Sequence, residues 1–387
     1  MSTFSCPVVR VAAVENHSGA DRLSIVRLDG LGYTCISAKL EDGSHRYAVG
    51  DWVVYIPSSS VLPEWLLREM DFWDAEKNKG TLAGSNGDRV KPAKLRGIFS
   101  DGLLYPVRNR NGSLYLTDGD GESVKVFAAE DTSNILGITK YEPPIPVSMQ
   151  GQVANMTGHT VHYDFQRWES VPDIFGTDEL VVATEKLHGT FMSIVYVPGL
   201  NHPEMFGKNG DIIVHSKGLG AQGLAFKNVP ENDGNLYVRT LKHLLETTDL
   251  ETILERMSGV EGCNHTVAIL GECYGKGVQD LDYGTSKPEF RVFDARIGDH
   301  WLDEGALNHY VSLPKVPVLY RGPFDAVALE EHRDGVTTVG GTNVREGIVV
   351  RAMFGDTHPM HGRKICKFIS PAYLLRKVKN GEATEYN

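Results

Sequence analysis

The chain has 387 residues, of which 41% are hydrophobic and 23% are charged, and its formal net charge is −11. This length suits two or three globular domains, and the acidic balance argues against a protein that coats nucleic acid over its whole surface. No stretch is apolar enough for a membrane span and the N-terminus does not resemble a signal peptide, so we expect no membrane partner. The five cysteines form no CxxC pair, which disfavours a zinc site or a disulfide framework and favours a reducing, cytoplasmic environment.

The first hundred residues are rich in short β-type segments. Turn signals such as Asp29-Gly30 and Asp42-Gly43 separate them. The predicted strands are 8–14, 23–28, 33–37 and 52–57. Strands this short and closely spaced favour a small β-barrel.

The segment from Arg108 to Ser148 carries turn clusters and no clear periodicity, so we predict irregular structure there. Its Asp-Gly pairs lack the spacing of an EF-hand and are interpreted as turns. The run Glu142-Pro143-Pro144-Ile145-Pro146 is typical of a stiff linker. We therefore predict two domains, at residues 1–145 and 146–387.

The second half alternates between strand and helix patterns. Leucine and isoleucine spacing predicts a largely helical segment from Leu236 through Arg256, and a proline start predicts a short closing helix at Pro371–Lys379. Predicted strands are 180–184, 212–215, 267–270, 290–293 and 348–351. The expected fold class is α+β, with mostly antiparallel sheets and flanking helices after the small barrel.

Five segments carry the chemistry, and their order matters more than any one of them. A KxxG pattern occurs four times, but only Lys186 follows a strong strand and precedes all the other elements. The segments are Glu185-Lys186-Leu187-His188-Gly189-Thr190, Gly271-Glu272-Cys273-Tyr274-Gly275, Phe290-Arg291-Val292-Phe293-Asp294, Arg345-Glu346-Gly347-Ile348-Val349 and Arg363-Lys364-Ile365-Cys366-Lys367. A lysine followed by acidic, aromatic and basic strand segments suits an enzyme that attaches a nucleotide to itself through phosphorus.

In this order the segments resemble the covalent nucleotidyltransferase superfamily, specifically the phage-type RNA ligases that repair nicks, in the clade with an extra N-terminal OB module. The resemblance covers Tyr163 to Lys379, over half of the chain. The segment from His17 to Leu23 also resembles the opening of OB-type modules. The resemblance implies an ATP-dependent RNA ligase that joins 3′-hydroxyl and 5′-phosphate ends through lysyl-AMP and RNA-adenylate. It also implies ATP and Mg²⁺ or Mn²⁺ as cofactors, and RNA or an RNA-containing duplex as partner; we expect a monomer.

The resemblance also assigns roles to single residues. Lys186 would be the nucleophile, and Lys367 with Lys364 would neutralise the α-phosphate. Glu346 would help hold the metal ion and Phe293 would stack on adenine. The remaining candidates for nucleotide contact are Glu185, Gly189, Lys217 and Glu272, of which Gly189 permits close backbone approach and Glu272 would bind the ribose.

Two positions depart from the family's pattern, and two lysines compete for one role. Phe191 stands where the family commonly has asparagine, and Lys217 stands where it has an arginine. Lys364 and Lys367 are an odd number of positions apart, so a regular strand would direct them to opposite faces, and we favour Lys367 for the phosphate.

Other functions fit the sequence less well. The formal GxGxxG at Gly218–Gly223 is not followed by the helix of a dinucleotide-binding unit. DNA ligases and GTP-dependent capping enzymes share the lysine chemistry but usually carry a C-terminal OB module, for which too few residues follow Lys367. A non-catalytic nucleic-acid-binding protein is a further alternative. In a ligase, the OB-like module would grip the duplex or the 3′-hydroxyl strand through charge and stacking, with Trp52, Tyr55 and the basic cluster at 89–96 as candidate contacts.

Overall fold

A computed structural model describes residues 4–378 and 381–382. Its N-terminal part contains fourteen strands and two helices among those residues. They are β1 (Val8–Asn16), β2 (Leu23–Leu28), β3 (Thr34–Ala38), β4 (Trp52–Ile56), β5 (Ser60–Val61), α1 (Glu64–Glu69), β6 (Trp73–Asp74), β7 (Lys79–Gly80), β8 (Ala93–Leu95), β9 (Ile98–Ser100), β10 (Leu103–Pro106), β11 (Arg108–Arg110), β12 (Ser113–Thr117), β13 (Ser123–Val126), α2 (Ser133–Leu136) and β14 (Thr139–Lys140).

Five of these strands form an antiparallel sheet in the order β10-β4-β1-β2-β3. The sheet curls so that its two edges meet, because the backbone N–H of Asp101, just before β10, donates to Thr34 in β3 at 3.0 Å. Val26 and Val53 are fully buried inside the barrel, as expected for β-branched residues of a small barrel, and Val54 is fully buried on its outer side. The predicted barrel is confirmed.

The prediction of irregular structure for 108–148 is wrong for about half of that segment. Strands β11, β12 and β13 form a three-stranded antiparallel sheet, and β14 pairs with β5. The signal was weak because the strands have only three to five residues each and β11, Arg108-Asn109-Arg110, has no apolar residue. Leu114, Leu116 and Val126 pack with Val54 and Ile56 on the outer side of the barrel, which buries this sheet's inner side.

The C-terminal part contains the remaining elements. They are β15 (Val153–Asn155), β16 (Leu180–Lys186), β17 (Gly189–Tyr196), β18 (Ile212–Ser216), α3 (Lys217–Ala221), β19 (Leu224–Phe226), α4 (Leu236–Thr247), α5 (Leu250–Ser258), β20 (Val267–Tyr274), β21 (Glu289–Ile297), β22 (His300–Trp301), α6 (Glu304–Tyr310), β23 (Val318–Pro323), α7 (Ala326–Arg333), β24 (Gly347–Ala352), β25 (Thr357–His358), β26 (Gly362–Arg363), β27 (Ile365–Ile369), α8 (Pro371–Leu374), β28 (Lys377–Val378) and β29 (Gly381–Glu382).

Two antiparallel sheets organise this part, in the orders β23-β16-β24-β27 and β18-β17-β20-β21-β22. Only Leu187 and His188 separate β16 from β17, so the chain passes directly from one sheet to the other. Helices α4 and α5 cover the outer face of the second sheet through Leu241, Ile253 and Leu254. The predicted α+β class with antiparallel sheets is confirmed.

Two helix predictions need correction. The segment 236–256 is two helices, because Thr248 leaves helical geometry and its hydroxyl donates to Leu244 at 2.6 Å. The closing helix ends at Leu374, and Lys379 lies outside the described residues. No helix in the described part of the chain is long and apolar enough to cross a membrane.

Asn235 should be important for the stability of α4. Its side chain accepts the N–H groups of Tyr237 and Val238 at 2.9 and 3.1 Å and donates to the Gln150 carbonyl at 3.0 Å. Asn235→Ala removes a helix cap and leaves buried donors without an acceptor, so we expect a loss of about 2 kcal/mol in the free energy of unfolding. Urea unfolding measures the loss. Arg239→Ala, on the exposed side of α4, should change it little, and equal losses in both variants would contradict this role.

Candidate active site

A cavity of about 720 Å³ lies where the two sheets of the C-terminal part face each other. Strands β16, β24 and β27 supply one side, and β17, β20 and β21 supply the other. Most of the predicted site residues line it: Glu185, Lys186, Gly189, Lys217, Glu272, Phe293 and Lys367. The cavity also has lining residues from the linker, namely Glu142, Pro143, Pro144, Ile145 and Pro146.

Lys186 lies at the end of β16 and forms an ion pair with Glu346. Its Nζ is 2.6 Å from Oε1 of Glu346, and the two side chains are 17% and 1% exposed. Strand register fixes the pair, because Lys186 lies opposite Gly347, the residue after Glu346. A side chain at Gly347 would overlap the carbonyl oxygen of Phe368, so this strand start requires glycine.

The second carboxylate oxygen of Glu346 is buried and has no hydrogen-bond partner. The ring Nδ1 of His188 lies 3.9 Å away, beyond hydrogen-bond distance. A buried carboxylate oxygen without a donor suits a divalent cation, since Mg²⁺ binds proteins through one or two carboxylates and completes its shell with water and phosphate oxygens. Glu346 therefore fits the metal role that the sequence predicted.

Glu272 lies on β20, next to the start of β17, and accepts the backbone N–H of Gly189. Desolvation, opposed by the charge of Lys186, raises the pKa of its carboxyl to about 8. Gly189 is required because a Cβ there would overlap the carbonyl oxygen of Cys273. The close approach that Gly189 permits in this structure is thus between two strands.

An aromatic wall forms one end of the cavity. The ring of Tyr163 stacks on Phe293 and on Phe191, with centroid distances of 5.6 and 5.9 Å. The Tyr163 hydroxyl donates to buried Asp294 at 2.7 Å, which fixes its ring. Tyr163 was missed as a site residue because it lies outside every motif. Phe191, where a polar residue was expected, extends the apolar wall.

Cationic side chains gather at another part of the cavity. Lys217 forms an ion pair with Asp164 at 2.9 Å, and Lys367 is 5% exposed. Against the effect of burial, Lys217 and then Lys367 and Lys140 hold the pKa of Asp164 below its ordinary value. Lys140 also lines the cavity, and no sequence motif pointed to it.

Two predicted residues are engaged elsewhere. Lys364 does not line the cavity, and its Nζ is 2.6 Å from Glu179, because β27 directs Lys364 and Lys367 to opposite faces. Glu185 is 1% exposed, and its carboxylate accepts the Thr338 N–H at 2.8 Å and hydroxyls of Thr337 and Thr338. It therefore anchors the 337–338 segment.

His188 belongs to a buried network beside the ion pair. Its Nε2 lies 2.6 Å from Asp280, and its Nδ1 lies 2.8 Å from the Tyr373 hydroxyl. Asp280 in turn accepts two bonds from the terminal nitrogen of Arg376 at 2.9 and 3.0 Å. Since a histidine ring has a single acceptor nitrogen when neutral, an ionised Asp280 places the proton on Nε2. The network ties the Lys186 turn to the segment after β27.

A separate cluster of potential metal ligands lies outside this cavity. Asp173, His358 and His361 have ligand atoms within 4.8 Å of one another. Nδ1 of His358, however, accepts the N–H groups of Met360 and His361 at 3.2 and 3.3 Å, and the two imidazole rings are stacked. This arrangement closes the β25–β26 hairpin.

Comparison with known proteins identifies both parts of the chain. Residues 6–107 match the model of an OB-fold domain, and residues 179–369 match the model of the RNA ligase family. The chain belongs to the RNA ligase family. No curated protein sequence matches the ligase.

Solved structures of Naegleria gruberi RNA ligase resemble the whole ligase fold. A mutant with ATP and Mn is 21% identical, with a TM-score of 0.68 over 96% of this chain and 98% of that one. The same enzyme with PPi is 22% identical, with a TM-score of 0.67 over 95% and 97% of the two chains. A mutant with AMP and Mn gives a TM-score of 0.69 at 21% identity, over 95% and 97%.

A segment that we name the strap, residues 163–170, joins the barrel of the ligase to the cavity. In its middle the Gln166 carbonyl accepts the N–H of Lys367 at 3.0 Å. The next residue, Arg167, pairs with Asp101 of the barrel at 2.7 Å, with both side chains largely buried. The Tyr33 hydroxyl is 2.8 Å from the Ser170 hydroxyl. The barrel and Lys367 therefore contact the same short segment.

The candidate nucleic-acid contacts in the N-terminal module differ in burial: Lys94 and Arg96 are exposed, Trp52 and Lys91 are half-buried, and Tyr55 and Arg89 are buried. Tyr55 is 2% exposed and Arg89 is 6% exposed, with the Arg89 guanidinium over the ring of Tyr141. Trp52 is half-buried, and Arg10 lies over its ring. Tyr55 and Arg89 are therefore structural residues.

The raised pKa of Glu272 predicts a pH-dependent stability of the nucleotide-free ligase. Its folded pKa of about 8 exceeds its ordinary value of 4.5, so the folded state holds a proton that the unfolded chain releases over this window. The free energy of unfolding should therefore fall as the pH rises from 5 toward 8, and Glu272→Gln should flatten that fall. Melting temperatures across this pH range test the effect. Glu231→Gln, at an exposed position, is the control. Parallel curves for wild type and Glu272→Gln would refute the assignment of this pH dependence to Glu272.

The Asp101–Arg167 pair should contribute strongly to the stability of the ligase. Removing one partner of a buried ion pair leaves the other charge desolvated, so Asp101→Asn should lower the free energy of unfolding by about 3 kcal/mol. Adding Arg167→Gln should recover part of the loss, since no buried charge then lacks its partner. Urea unfolding of the single and double variants measures the coupling, with exposed Asp29→Asn as control. Additive losses would show that the two residues do not interact.

Proposed function

We propose that this RNA ligase uses ATP to seal 3′-hydroxyl and 5′-phosphate ends of RNA at nicks in duplexes, through lysyl-AMP and RNA-adenylate. The observation that carries the proposal is the position of Lys186. Its Nζ enters the cavity between an aromatic wall and a cationic cluster, held by Glu346. The relative from Naegleria gruberi, solved with ATP and Mn, supports the choice of nucleotide.

The first step forms a bond between Lys186 Nζ and the α-phosphorus of ATP and breaks the bond from that phosphorus to pyrophosphate. The amine must first lose a proton, since an ammonium has no free electron pair. The 2.6 Å contact orients Nζ and gives its proton an acceptor in Glu346. Lys217 and Lys367 would neutralise charge on the phosphate oxygens, and Phe293 and Tyr163 would stack on adenine.

Glu346 would hold the divalent cation, Mg²⁺ or Mn²⁺, through its unpartnered oxygen. When bound, this ion would supply positive charge next to the phosphates and favour the neutral form of the amine. Glu272, at the opposite wall, would accept a hydrogen bond from a ribose hydroxyl once it is ionised.

In the second step an RNA 5′-phosphate oxygen attacks the AMP phosphorus, which breaks the phosphoramidate and returns the amine of Lys186. In the third step the 3′-hydroxyl attacks the 5′-phosphorus, forms the phosphodiester and releases AMP. We assign the adenylyltransferase to residues 146–387 and the OB-like module with its linker to 1–145. We further propose a monomer in a reducing, cytoplasmic environment, consistent with the free thiols at Cys6, Cys35, Cys263, Cys273 and Cys366.

The alternatives are less well supported. A non-catalytic binding protein would have no need to keep Lys186 paired with a 1% exposed carboxylate inside a nucleotide-sized cavity. A DNA ligase or a GTP-dependent capping enzyme would share the lysine chemistry, but the family model that matches residues 179–369 is that of RNA ligases.

Self-adenylation tests the proposal directly. With α-labelled ATP and Mg²⁺, wild type should retain label after denaturing electrophoresis and Lys186→Ala should retain none. Lys367→Ala should lose about 100-fold or more in labelling rate, since it removes a charge-stabilising group from the site. Lys364→Ala is the matched control. Lys364 is three residues before Lys367 but pairs with Glu179 outside the cavity, so this variant should label nearly as wild type.

Absence of label on folded, nucleotide-free wild type would overturn the ATP-dependent mechanism, and the same assay with labelled GTP would then test the capping alternative. Equal losses in Lys364→Ala and Lys367→Ala would overturn the assignment of Lys367 to the phosphate.

A further inference from the structure

The three-stranded sheet β11-β12-β13 lies outside both regions that match known families, because it follows residue 107 and precedes residue 179. Its inner face is buried against the barrel through Leu114, Leu116 and Val126. Its outer face has no comparable covering, since Arg108, Arg110 and Lys125 are exposed and Tyr115 is half-buried.

Strand register places these side chains in a common row. Tyr115 lies opposite Arg108 on one side and opposite Lys125 on the other. Residues directly opposite each other in antiparallel strands project from the same face, so a cation flanks the tyrosine on each side. Arg110 projects from the same face, and its guanidinium lies 6.0 Å from the centroid of the Tyr115 ring.

A second aromatic side chain extends the row. Phe127 follows β13 and is 62% exposed, with the Lys125 Nζ 5.6 Å from its ring centroid. Among the described residues, Arg108, Arg110 and Lys125 form no ion pair with a carboxylate. Three cations and two accessible rings thus share one face of a protein whose net charge is −11.

We propose that this face, which we name the outer sheet face and define by Arg108, Arg110, Tyr115, Lys125 and Phe127, binds a single strand of the RNA substrate. The proposal rests on the proposed function, which makes RNA the substrate. An exposed aromatic ring on a sheet offers a stacking platform to any base, and flanking cations bind the phosphates on either side. A cationic face also complements the closely spaced phosphate charges of a nucleic-acid strand.

The charges at the two ends of the sheet indicate where the RNA strand leaves the outer sheet face. The turn between β12 and β13 contains Asp118, Asp120 and Glu122, which would repel phosphates. The opposite end, at the β11–β12 turn, carries Arg110 and the uncharged Asn111-Gly112. The strand should therefore leave the face over Arg110, away from the acidic turn.

Fluorescence anisotropy with a labelled single-stranded RNA that lacks a 5′-phosphate tests binding without catalysis. Tyr115→Ala should weaken binding about tenfold through lost stacking. The triple variant Arg108→Ala, Arg110→Ala, Lys125→Ala should lower the slope of log affinity against log salt by about 2, since each phosphate contact contributes about 0.7 for a single strand. The control removes the same number of charges from the α4 side of the ligase, through Lys208→Ala, Arg239→Ala and Lys242→Ala.

Unchanged affinity and salt slope in the outer-face variants would overturn the proposal. So would equal losses in the outer-face triple variant and its control, because total charge alone would then explain the effect. The lysyl-AMP assay separates this proposal from the proposed function. Residues 108–127 do not line the cavity, so labelling with ATP should be unchanged in all these variants while sealing at low RNA concentration falls.

Discussion

The site depends on one buried ion pair, between Lys186 and Glu346. Two charges removed from water are tolerated only when each compensates the other, so their strands must hold them at contact distance. The register of β16 against β24 does this, and the glycine after Glu346 allows β27 to pack closely. Because β16 leads directly into β17, the same turn brings Glu272 and the aromatic wall close to Lys186. The strand order and register of the two sheets therefore also determine which groups meet in the cavity.

The strap extends that constraint to the N-terminal module. The backbone N–H of Lys367 donates to the Gln166 carbonyl, while the side chain of the neighbouring Arg167 forms an ion pair with Asp101 of the barrel. Glu169 continues the contact, because its carbonyl accepts the Gly32 N–H at 2.7 Å. A movement of the barrel relative to the sheets would have to break a largely buried charge pair first. The placement of Lys367 and the docking of the barrel are consequently coupled.

Sequence reasoning succeeded where local pattern determines structure. Short, closely spaced β-rich segments predicted the barrel, the order of motifs brought most of the predicted site residues to one cavity, and the odd spacing of Lys364 and Lys367 separated the two lysines. Sequence reasoning could not show contacts that a distant partner decides. Glu185 lines the cavity, but its hydrogen bonds to Thr337 and Thr338 appear only in the fold, and Tyr163 enters the site only through tertiary packing. The sheet at 108–126 was missed because its strands are too short to show a period.

The linker has a consequence beyond its role as a connector. Its three prolines each fix a backbone φ angle and cannot donate an N–H, so the run from Glu142 to Pro146 presents a rigid surface to the nucleotide cavity. The segment that connects the N-terminal and C-terminal parts is thus part of the cavity wall. Its length and composition are then constrained by the shape of the cavity as well as by the distance it spans, and an insertion that a surface tether would tolerate would here reshape the pocket.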